Sequence, residues 1–170
     1  MLHPDVTLRC VNDVIGYGVF ATRLIPAGTI TWVQDPLDQV LDSDALRRLG
    51  QRYSKIVKKY TWLNRDGNRV LCWDFGRFMN HSCDANTFSP GLEFEIAVRD
   101  IKAGEQVTSD YGALNVEAPL PCACGSPRCR GLVRPEDFET YAEGWDDLMR
   151  APFSAAQKRE EGFSCPEPLL

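Results

Sequence analysis

The chain has 170 residues, 44% of them hydrophobic and 25% charged, with a formal net charge of −5. This is a globular composition, and the length is sufficient for one domain with a real hydrophobic core. Proteins that bind nucleic acid without sequence preference carry clustered positive charge, so the acidic balance disfavours that class and suits a basic peptide partner better. No segment is apolar enough over a membrane-spanning length, and residues 1–20 lack a signal pattern. We therefore expect an intracellular protein without membrane contact.

Short strands joined by tight turns are predicted for the first 33 residues, where runs of β-branched and aromatic residues are interrupted by Gly16, Gly18 and the turn Pro26-Ala27-Gly28. The turn sequence RLIPAG at 23–28 returns as RDIKAG at 99–104, each time before a β-type segment. The repetition indicates one turn design used twice. The Gly16-Tyr17-Gly18 stretch is not a dinucleotide-binding fingerprint, because no third glycine opens a helix after it.

One inserted helix is predicted from Ser43 to about Tyr60, where apolar residues recur at helical spacing. Asp42 or Ser43 would cap this helix, and Gly50 would weaken it slightly. Its many lysines and arginines are typical of a solvated helix face, although they could also receive an anionic partner.

Two further strand signals follow the inserted helix. Residues 62–73 predict a hairpin that turns at Asp66-Gly67 or Asn68. Residues 92–98 alternate between apolar and acidic side chains, which predicts a strand with Glu93 and Glu95 facing outward. The inward face would carry the apolar residues of this strand, which are Leu92, Phe94, Ile96 and Val98.

A last helix is predicted over residues 135–150, and the tail at 151–170 has no periodicity, so we expect it to be mobile. The helix would pack through an apolar stripe made of Phe138, Tyr141, Trp145 and Leu148.

Three of the seven cysteines are crowded into one loop. Cys122, Cys124 and Cys129 have the spacing C-x-C-x4-C, and thiolates so spaced can converge on a tetrahedral zinc at about 2.3 Å. Water or a fourth side chain would complete the zinc coordination, and Cys83 is the candidate for the latter. The alternative is a loop of inert cysteines.

Cys83 belongs to a polar run, Asn80-His81-Ser82-Cys83, inside the segment RFMNHSCDANTF. Asparagine, serine and aspartate favour turns, so a polar turn is one interpretation. The other is that two different ligands meet at this segment.

Four separated segments share the motifs of one family. They are residues 16–21 with GYGVFA, 77–83 with RFMNHSC, 104–112 with Gly104-Glu105 and Asp110-Tyr111-Gly112, and 122–131 with the cysteine triplet. In order and spacing, over about residues 8–132, the chain resembles the SET-domain protein-lysine methyltransferases that carry a post-SET cysteine segment.

The resemblance implies a mainly β fold of the SET-domain (β-clip) type. This fold would consist of short curled sheets with a threaded C-terminal pseudoknot, together with one inserted helix and one C-terminal helix. The implied divisions are a SET domain at 1–114, a post-SET zinc-binding segment at 118–134, the helix at 135–150 and the tail at 151–170.

The resemblance also implies the site residues. S-adenosylmethionine would be bound by Gly16, Tyr17, Gly18, Tyr60, Arg77, Phe78, Asn80, His81 and Tyr111. Asn80 would hold the amino-acid end of this cofactor, and His81 would contact its adenine, largely through the backbone. Tyr111 would be the catalytic residue, Ser109 and Tyr111 would line the substrate channel, and Cys83 would join Cys122, Cys124 and Cys129 as ligands of a structural zinc.

The implied activity is methylation of a lysine ε-amine in a protein substrate such as a histone tail, without direct nucleic-acid binding. We expect Tyr111 to orient the reactants rather than act as a general base. Two alternatives remain open, a catalytically idle SET-like module that binds a protein and a small zinc-dependent nucleic-acid binder. In a host with a nucleus, the protein would work there on chromosomes. In any other host it would work in the cytoplasm or as a secreted effector.

Two positions depart from the usual family pattern. Ser109 stands where Phe or Tyr is common, two residues before the catalytic tyrosine, so we expect room for higher methylation states. Asp84-Ala85-Asn86 lacks the usual proline. No cysteine-rich pre-SET region or reader domain is evident, so we expect substrate specificity to come from the compact domain itself.

Overall fold

The structure is a computed structural model that describes residues 1–90 and 93–160, with side chains described up to residue 154. Its strands are β1 (Val6–Asn12), β2 (Gly16–Ala21), β3 (Ile30–Val33), β4 (Gln39–Leu41), β5 (Thr61–Leu63), β6 (Arg69–Leu71), β7 (Asn80–His81), β8 (Thr87–Phe88), β9 (Phe94–Ala97), β10 (Gln106–Ser109), β11 (Leu120–Pro121) and β12 (Leu132–Val133). Its α-helices are α1 (Ser43–Leu49), α2 (Ser54–Tyr60) and α3 (Asp137–Glu160). Single 3₁₀ turns lie at Gln51–Tyr53, Phe75–Phe78 and Tyr111–Ala113.

The largest sheet has the order β1-β2-β10-β8-β9-β3, and β7 pairs with β10 beside this path. The first half of β10 is antiparallel to β2, whereas its end is parallel to β7 and β8. In this pairing Thr108 lies opposite Asn80, and Ser109 lies opposite His81. The polar run that begins at Asn80 is therefore held next to the segment that leads into Tyr111.

The two similar turns predicted from the sequence pair with each other. Ile25 and Ile101 form an antiparallel bridge, and each backbone N–H donates to the other's carbonyl oxygen at 2.9 and 2.8 Å. Both isoleucine side chains are fully buried, and such burial contributes about 1.5–3 kcal/mol per side chain. The repeated sequence thus builds one part of the core from two distant segments.

The inserted segment is not the single helix predicted from its periodicity. Asp42 caps α1 by accepting a hydrogen bond from the Ala45 N–H at 2.7 Å, but Gly50 ends that helix with φ of 65°. A 3₁₀ turn and α2 follow, and neither α1 nor α2 has a buried residue. The single-helix prediction was wrong because a glycine with positive φ stops an α-helix.

The hairpin predicted between the inserted segment and the polar run is confirmed. β5 and β6 are antiparallel, and Gly67 in the connecting turn has φ of 74°. β4 pairs on the other side of β6, so the three strands form a small separate sheet.

The prediction for residues 92–98 was wrong at one position. Ile96 is buried and Glu93 is exposed as expected, but Glu95 is buried as well. The strand β9 lies inside the large sheet between β8 and β3, and three consecutive residues from Glu95 are buried, so both of its faces are covered. Leu92, which was predicted to face inward, lies outside the described residues.

The C-terminal helix extends to Glu160, beyond the predicted end at residue 150. Its buried residues include Trp145 and Met149, which pack with Ala85 and Phe88. Three members of the predicted stripe, Phe138, Tyr141 and Leu148, are exposed by contrast. The contacts with the sheet, which the sequence does not reveal, decide which face of this amphipathic helix is buried. Residues 161–170 of the expected tail lie outside the described residues.

Candidate active site and metal centre

Tyr111 is fixed by contacts with both sides of the β7 segment. Its N–H donates to Nδ1 of His81 at 3.1 Å, and its hydroxyl donates to the Met79 carbonyl at 2.7 Å. Just before it, Asp110 caps the short turn by accepting a hydrogen bond from the Gly112 N–H at 2.9 Å. The position of the phenol therefore depends on two segments that are about thirty residues apart in sequence.

A small cavity of about 190 Å³ opens on one side of Tyr111. Nine residues line it, which are Ile15, Gly16, Tyr17, Lys59, Tyr60, Arg77, Phe78, Asn80 and Tyr111. Seven of these were predicted from the sequence to hold the cofactor. Gly18 and His81 are the predicted residues that do not line this cavity. Tyr60 reaches it because α2 ends there, and its ring packs edge-on against Phe78 with 5.4 Å between centroids.

A large cavity of about 310 Å³ lies on the other side of Tyr111. Its wall includes Ser109 and Glu95, and aromatic residues such as Trp32 and Trp62 make much of it apolar. Tyr111 lines both cavities, together with Lys59, Tyr60 and Arg77. Two ligands placed in the two cavities would therefore approach each other at Tyr111.

The Tyr111 phenol is held in its protonated form. Burial, with a further contribution from the negative charge of Glu95, raises the pKa of Tyr111 to about 12. A phenol with such a pKa is neutral at physiological pH and already donates its proton to Met79. Tyr111 can therefore orient and polarise a neighbouring group, but it is not an available base.

Gly18 contributes space rather than an unusual backbone conformation. A Cβ atom at this position would lie 2.8 Å from Nδ2 of Asn80 and 2.9 Å from Oε1 of Gln106. The same Asn80 amide donates to the Tyr17 carbonyl at 2.9 Å. The glycine therefore lets β2 approach the Asn80 side chain that borders the small cavity.

Ser109 and Glu95 form a polar pair in the wall of the large cavity. The Ser109 hydroxyl donates to Oε1 of Glu95 at 2.9 Å, and the Thr87 hydroxyl lies 2.6 Å from Oε2. Burial raises the pKa of Glu95, although both hydroxyl contacts oppose the shift. The small serine does leave cavity volume beside Tyr111, and a buried carboxyl borders that volume.

Cys83 lies beside the loop that carries Cys122, Cys124 and Cys129. Its Sγ is 3.8 Å from Sγ of Cys122, which in turn is 3.7 Å from Sγ of Cys129. Sγ of Cys124 accepts a hydrogen bond from the Cys83 N–H at 3.4 Å. Two sulfurs bound to one tetrahedral zinc at about 2.3 Å are about 3.8 Å apart, so both of these sulfur–sulfur distances match a zinc site. Ligand atoms of Cys83, Cys122, Cys124 and His81 lie within 4.8 Å of one another, and Cys129 adjoins this group through Cys122.

His81 is also near this cluster, and its Nε2 lies 3.2 Å from Sγ of Cys83. Because Nδ1 accepts the Tyr111 N–H, a neutral His81 carries its own proton on Nε2 and directs it at the sulfur. Burial lowers the pKa of His81, which favours this neutral form. Both ring nitrogens are then engaged, so a neutral His81 in this tautomer supports the Cys83 sulfur rather than offering a free lone pair to a metal.

Hydrogen bonds prepare Cys124 to ionise. Burial opposes its ionisation, but N–H donors from Cys83 and Ser126 outweigh burial and lower the pKa of the Cys124 thiol to about 7. Burial raises the pKa values of Cys83 and Cys122. A bound divalent cation would favour the thiolate of all of them, since zinc binds cysteine as thiolate.

Arg130 joins the cysteine loop to the Tyr111 segment and to α3. Its guanidinium donates to both carboxylate oxygens of Asp110, at 2.8 and 2.6 Å, and its Nε lies 3.3 Å from Asp137. The same group lies over the Tyr141 ring, 4.9 Å from the centroid. Its backbone N–H donates to Sγ of Cys83 at 3.4 Å. One side chain therefore links three separate elements around the site.

The sequence reasoning gave no role to Glu95, Lys59 or Arg130. Glu95 was missed because strict alternation placed it on the solvent side of its strand. Lys59 was treated as part of a solvated helix face. Arg130 stands inside a matched motif, between Cys129 and Gly131, and this position was the signal that could have found it.

Two cavities meet at the half-buried Tyr111, beside a cysteine cluster in a mainly β fold. This arrangement defines a class of domain with room for two ligands, one on either side of a single tyrosine. The family model described as "SET domain" matches residues 16–112, which is more than half of the chain. The chain therefore belongs to the SET domain family, as its motifs predicted.

The relatives are much longer proteins. The chain is 33% identical over 153 residues to the histone-lysine N-methyltransferase TRX1 of Oryza sativa subsp. japonica, covering 82% of this chain and 14% of the relative. It is 28% identical over 138 residues to the histone-lysine N-methyltransferase SETD1B of Homo sapiens, covering 73% of this chain and 7% of the relative. The chain thus spans a small part of each relative.

A solved structure confirms the fold. The crystal structure of KRYPTONITE in complex with mCHG DNA and SAH matches with a TM-score of 0.51 and 23% identity. The match covers 72% of this chain and 27% of that chain. The mainly β SET-domain fold expected from the sequence is therefore confirmed. Among the described residues, no helix combines the length and apolarity that a membrane crossing requires.

Proposed function

We propose that this chain transfers methyl groups from S-adenosylmethionine to the ε-amine of a lysine in a protein substrate. A histone tail or a similar basic segment is the proposed substrate class, in keeping with the activity named for the relatives TRX1 and SETD1B. The observation that carries the proposal is that Tyr111 lines both the small and the large cavity. A methyl donor in one and an amine in the other would meet beside its hydroxyl.

The small cavity fits the methyl donor by the chemistry of its lining. Aromatic rings of Tyr17, Tyr60 and Phe78 offer apolar surface, while the Asn80 amide and the positive side chain of Lys59 offer polar contacts. Bound there, S-adenosylmethionine would supply an electrophilic methyl group on a sulfonium. We assign Gly16, Tyr17, Tyr60, Arg77, Phe78, Asn80 and Tyr111 to its binding, and Gly18 and His81 to supporting the same wall.

The large cavity would supply the environment that a lysine needs in order to react. A lysine with a reference pKa of about 10.4 is protonated at neutral pH and is then not a nucleophile. Apolar surroundings such as Trp32 and Trp62 favour the neutral amine by removing water from it. Tyr111, itself neutral, would orient the amine rather than take its proton, and alignment would provide most of the rate enhancement.

We also propose that Cys83, Cys122, Cys124 and Cys129 hold one structural zinc. The ion would fasten the segment at 118–134 to the polar run that begins at Asn80. The small cavity and the zinc cluster would then lie on two sides of that run, which explains its unusual composition. In a cell with a nucleus, a histone substrate would place the protein on chromosomes. The expectation of no direct nucleic-acid binding stays a prediction.

The decisive test is methyl transfer from labelled S-adenosylmethionine to core histones, compared between wild type and Tyr111→Phe. We expect label on lysine with wild type and a loss of about 100-fold or more in the variant, because one positioned hydroxyl is removed from the reacting centre. Tyr53→Phe, which removes a hydroxyl from an exposed tyrosine, is the matched control and should be fully active.

The same assay separates the enzyme from an idle SET-like binding module. Such a module would bind a protein partner but label no lysine in wild type, and that result would reject the proposal. Calorimetry measures the binding of S-adenosylmethionine to both tyrosine variants. Tyr111→Phe keeps the aromatic ring and all neighbouring residues, so a folded variant should still bind the cofactor.

A further inference from the structure

A buried carboxyl in the wall of the large cavity has no cationic partner within the described part of the chain. Glu95 is only 6% exposed, and its two oxygens contact the neutral hydroxyls of Ser109 and Thr87. The ion pairs formed among the described residues all use other acids. Glu95 is therefore hydrogen-bonded but not neutralised by a positive charge.

The two hydroxyls do not saturate this carboxyl. The Thr87 hydroxyl has a single proton but contacts both Oε2 of Glu95, at 2.6 Å, and the Thr108 carbonyl, at 3.0 Å. A carboxylate has about four lone-pair sites, and the protein occupies at most two of them with side-chain donors. Acceptor capacity is thus left on a group that borders the cavity.

Fold stability does not call for a carboxyl at this position. The next residues along the strand, Ile96 and Ala97, are apolar and fully buried, and an apolar residue at 95 would continue the pattern. Burying a carboxylate without a cation is costly, whereas a buried pair with good hydrogen bonds recovers much of that cost. A cation delivered by a ligand in the cavity would complete the pair.

We propose that Glu95 binds the cationic side-chain nitrogen of the substrate, so that its carboxyl selects a lysine ε-ammonium by charge. This inference rests on the proposed function. Four basic side chains also line the large cavity, and none of them forms an ion pair with Glu95; they are Lys58, Lys59, Arg69 and Arg77. Ser109, which donates to Glu95, is two residues before Tyr111, and all three line the same cavity. A lysine side chain that reaches Tyr111 through this cavity would therefore pass close to the Glu95 carboxyl.

The contact has a kinetic consequence. Glu95 would hold the protonated amine on entry, and methyl transfer requires the neutral amine. The amine loses this proton to solvent before it reacts and becomes positive again as it accepts the methyl group, so the contact with Glu95 is made in both the bound ground state and the transition state. Its loss should raise KM and leave kcat within a factor of about three.

The test uses the first histone H3 tail peptide that the wild-type chain methylates, together with a twin in which the target lysine is replaced by norleucine. Norleucine keeps the aliphatic chain but lacks the nitrogen. With S-adenosylhomocysteine present to prevent turnover, we expect wild type to bind the lysine peptide about tenfold more tightly. Glu95→Gln should abolish this preference, while Glu93→Gln, an exposed acid two residues earlier, should retain it.

Each outcome decides the proposal. If Glu95→Gln folds and keeps the preference for lysine, Glu95 is structural and the inference is rejected, even if the variant melts at a lower temperature. If that variant does not fold, wild type alone is decisive, because equal or tighter binding of the norleucine peptide contradicts a charge-selecting carboxyl. A wild type that methylates no histone peptide would instead reject the proposed function, on which this inference depends.

Discussion

Ser109 shows how a single small residue changes the space available for the reaction. It stands two positions before Tyr111, where the family commonly has a Phe or Tyr ring. Its side chain is buried and lines the large cavity, with its hydroxyl on Glu95. A ring at this position would occupy volume that we propose is used by methyl groups already on the amine.

Ser109→Tyr is therefore expected to restrict the product to monomethyl-lysine, whereas wild type should reach higher methylation states. The measurement is mass spectrometry of a methylated histone peptide over a time course. Ser54→Tyr adds the same ring at an exposed position and should leave the product distribution unchanged. If Ser109→Tyr still produces trimethyl-lysine at the wild-type ratio, position 109 does not limit the product.

At the scale of elements, the site depends on pieces that arrive from different parts of the fold. The end of α2 brings Lys59 and Tyr60 to both cavities, β10 brings Ser109, and the cysteine loop brings Arg130. Arg130 holds these elements together because its guanidinium bonds both oxygens of Asp110, which directly precedes Tyr111. A flexible single-point cation could not replace this forked contact.

Arg130→Lys is expected to lower the free energy of unfolding by about 1.5–3 kcal/mol, because a buried charge-assisted pair loses its second hydrogen bond. Methyl transfer should fall as well, since Asp110 no longer has a fixed partner. Chemical denaturation and the histone assay provide the two measurements.

Arg128→Lys is the matched control, because Arg128 pairs with Asp84 in the same loop but is 70% exposed. Exposed pairs contribute about 0–1 kcal/mol, so this variant should be close to wild type. Equal effects of the two substitutions would contradict the special role given to Arg130.

At the scale of the whole molecule, the cysteine cluster joins two segments that are far apart in the sequence. Cys83 and Cys122 are 39 residues apart in the chain, and their sulfurs are 3.8 Å apart in space. The loop that carries the late cysteines has only the short pair β11 and β12 as regular structure. A bound ion would therefore contribute much of the free energy that keeps this loop in place.

Cys124→Ser is expected to abolish binding of one zinc per chain and to lower Tm by more than about 5 °C, which corresponds to about 2 kcal/mol for a chain of this size. Methyl transfer should be lost with the metal, and a strong chelator should have the same effect on wild type. Metal content by emission spectrometry and calorimetric melting are the measurements.

Cys10→Ser is the control, since Cys10 is an exposed thiol that lies outside the cluster. Its zinc content and Tm should equal those of wild type. Full zinc content in Cys124→Ser would show that the ion is held by a different ligand set.

Short-range patterns were sufficient for much of this protein. The early strands, the hairpin at Gly67, the cap at Asp42 and the cysteine spacing depend on neighbouring residues, and local geometry determines them. The motifs around Tyr17, Asn80 and Tyr111 together predicted both the family and most of the lining of the small cavity. These motifs are informative because the chemistry of the site requires a particular side-chain group at each of their positions.

Only the tertiary structure decided which groups are buried and which distant segments meet. Glu95 alternates like a solvent-facing residue, but pairing of β9 with β8 and β3 covers both of its faces. The face of α3 that carries Trp145 is buried because the sheet is there, and the stripe of apolar residues alone could not select it. The sequence by itself determined which chemical groups this protein has and where its turns fall, since both depend on nearby residues. Burial and long-range pairing depend on the whole chain, and they decided which of those groups surround Tyr111.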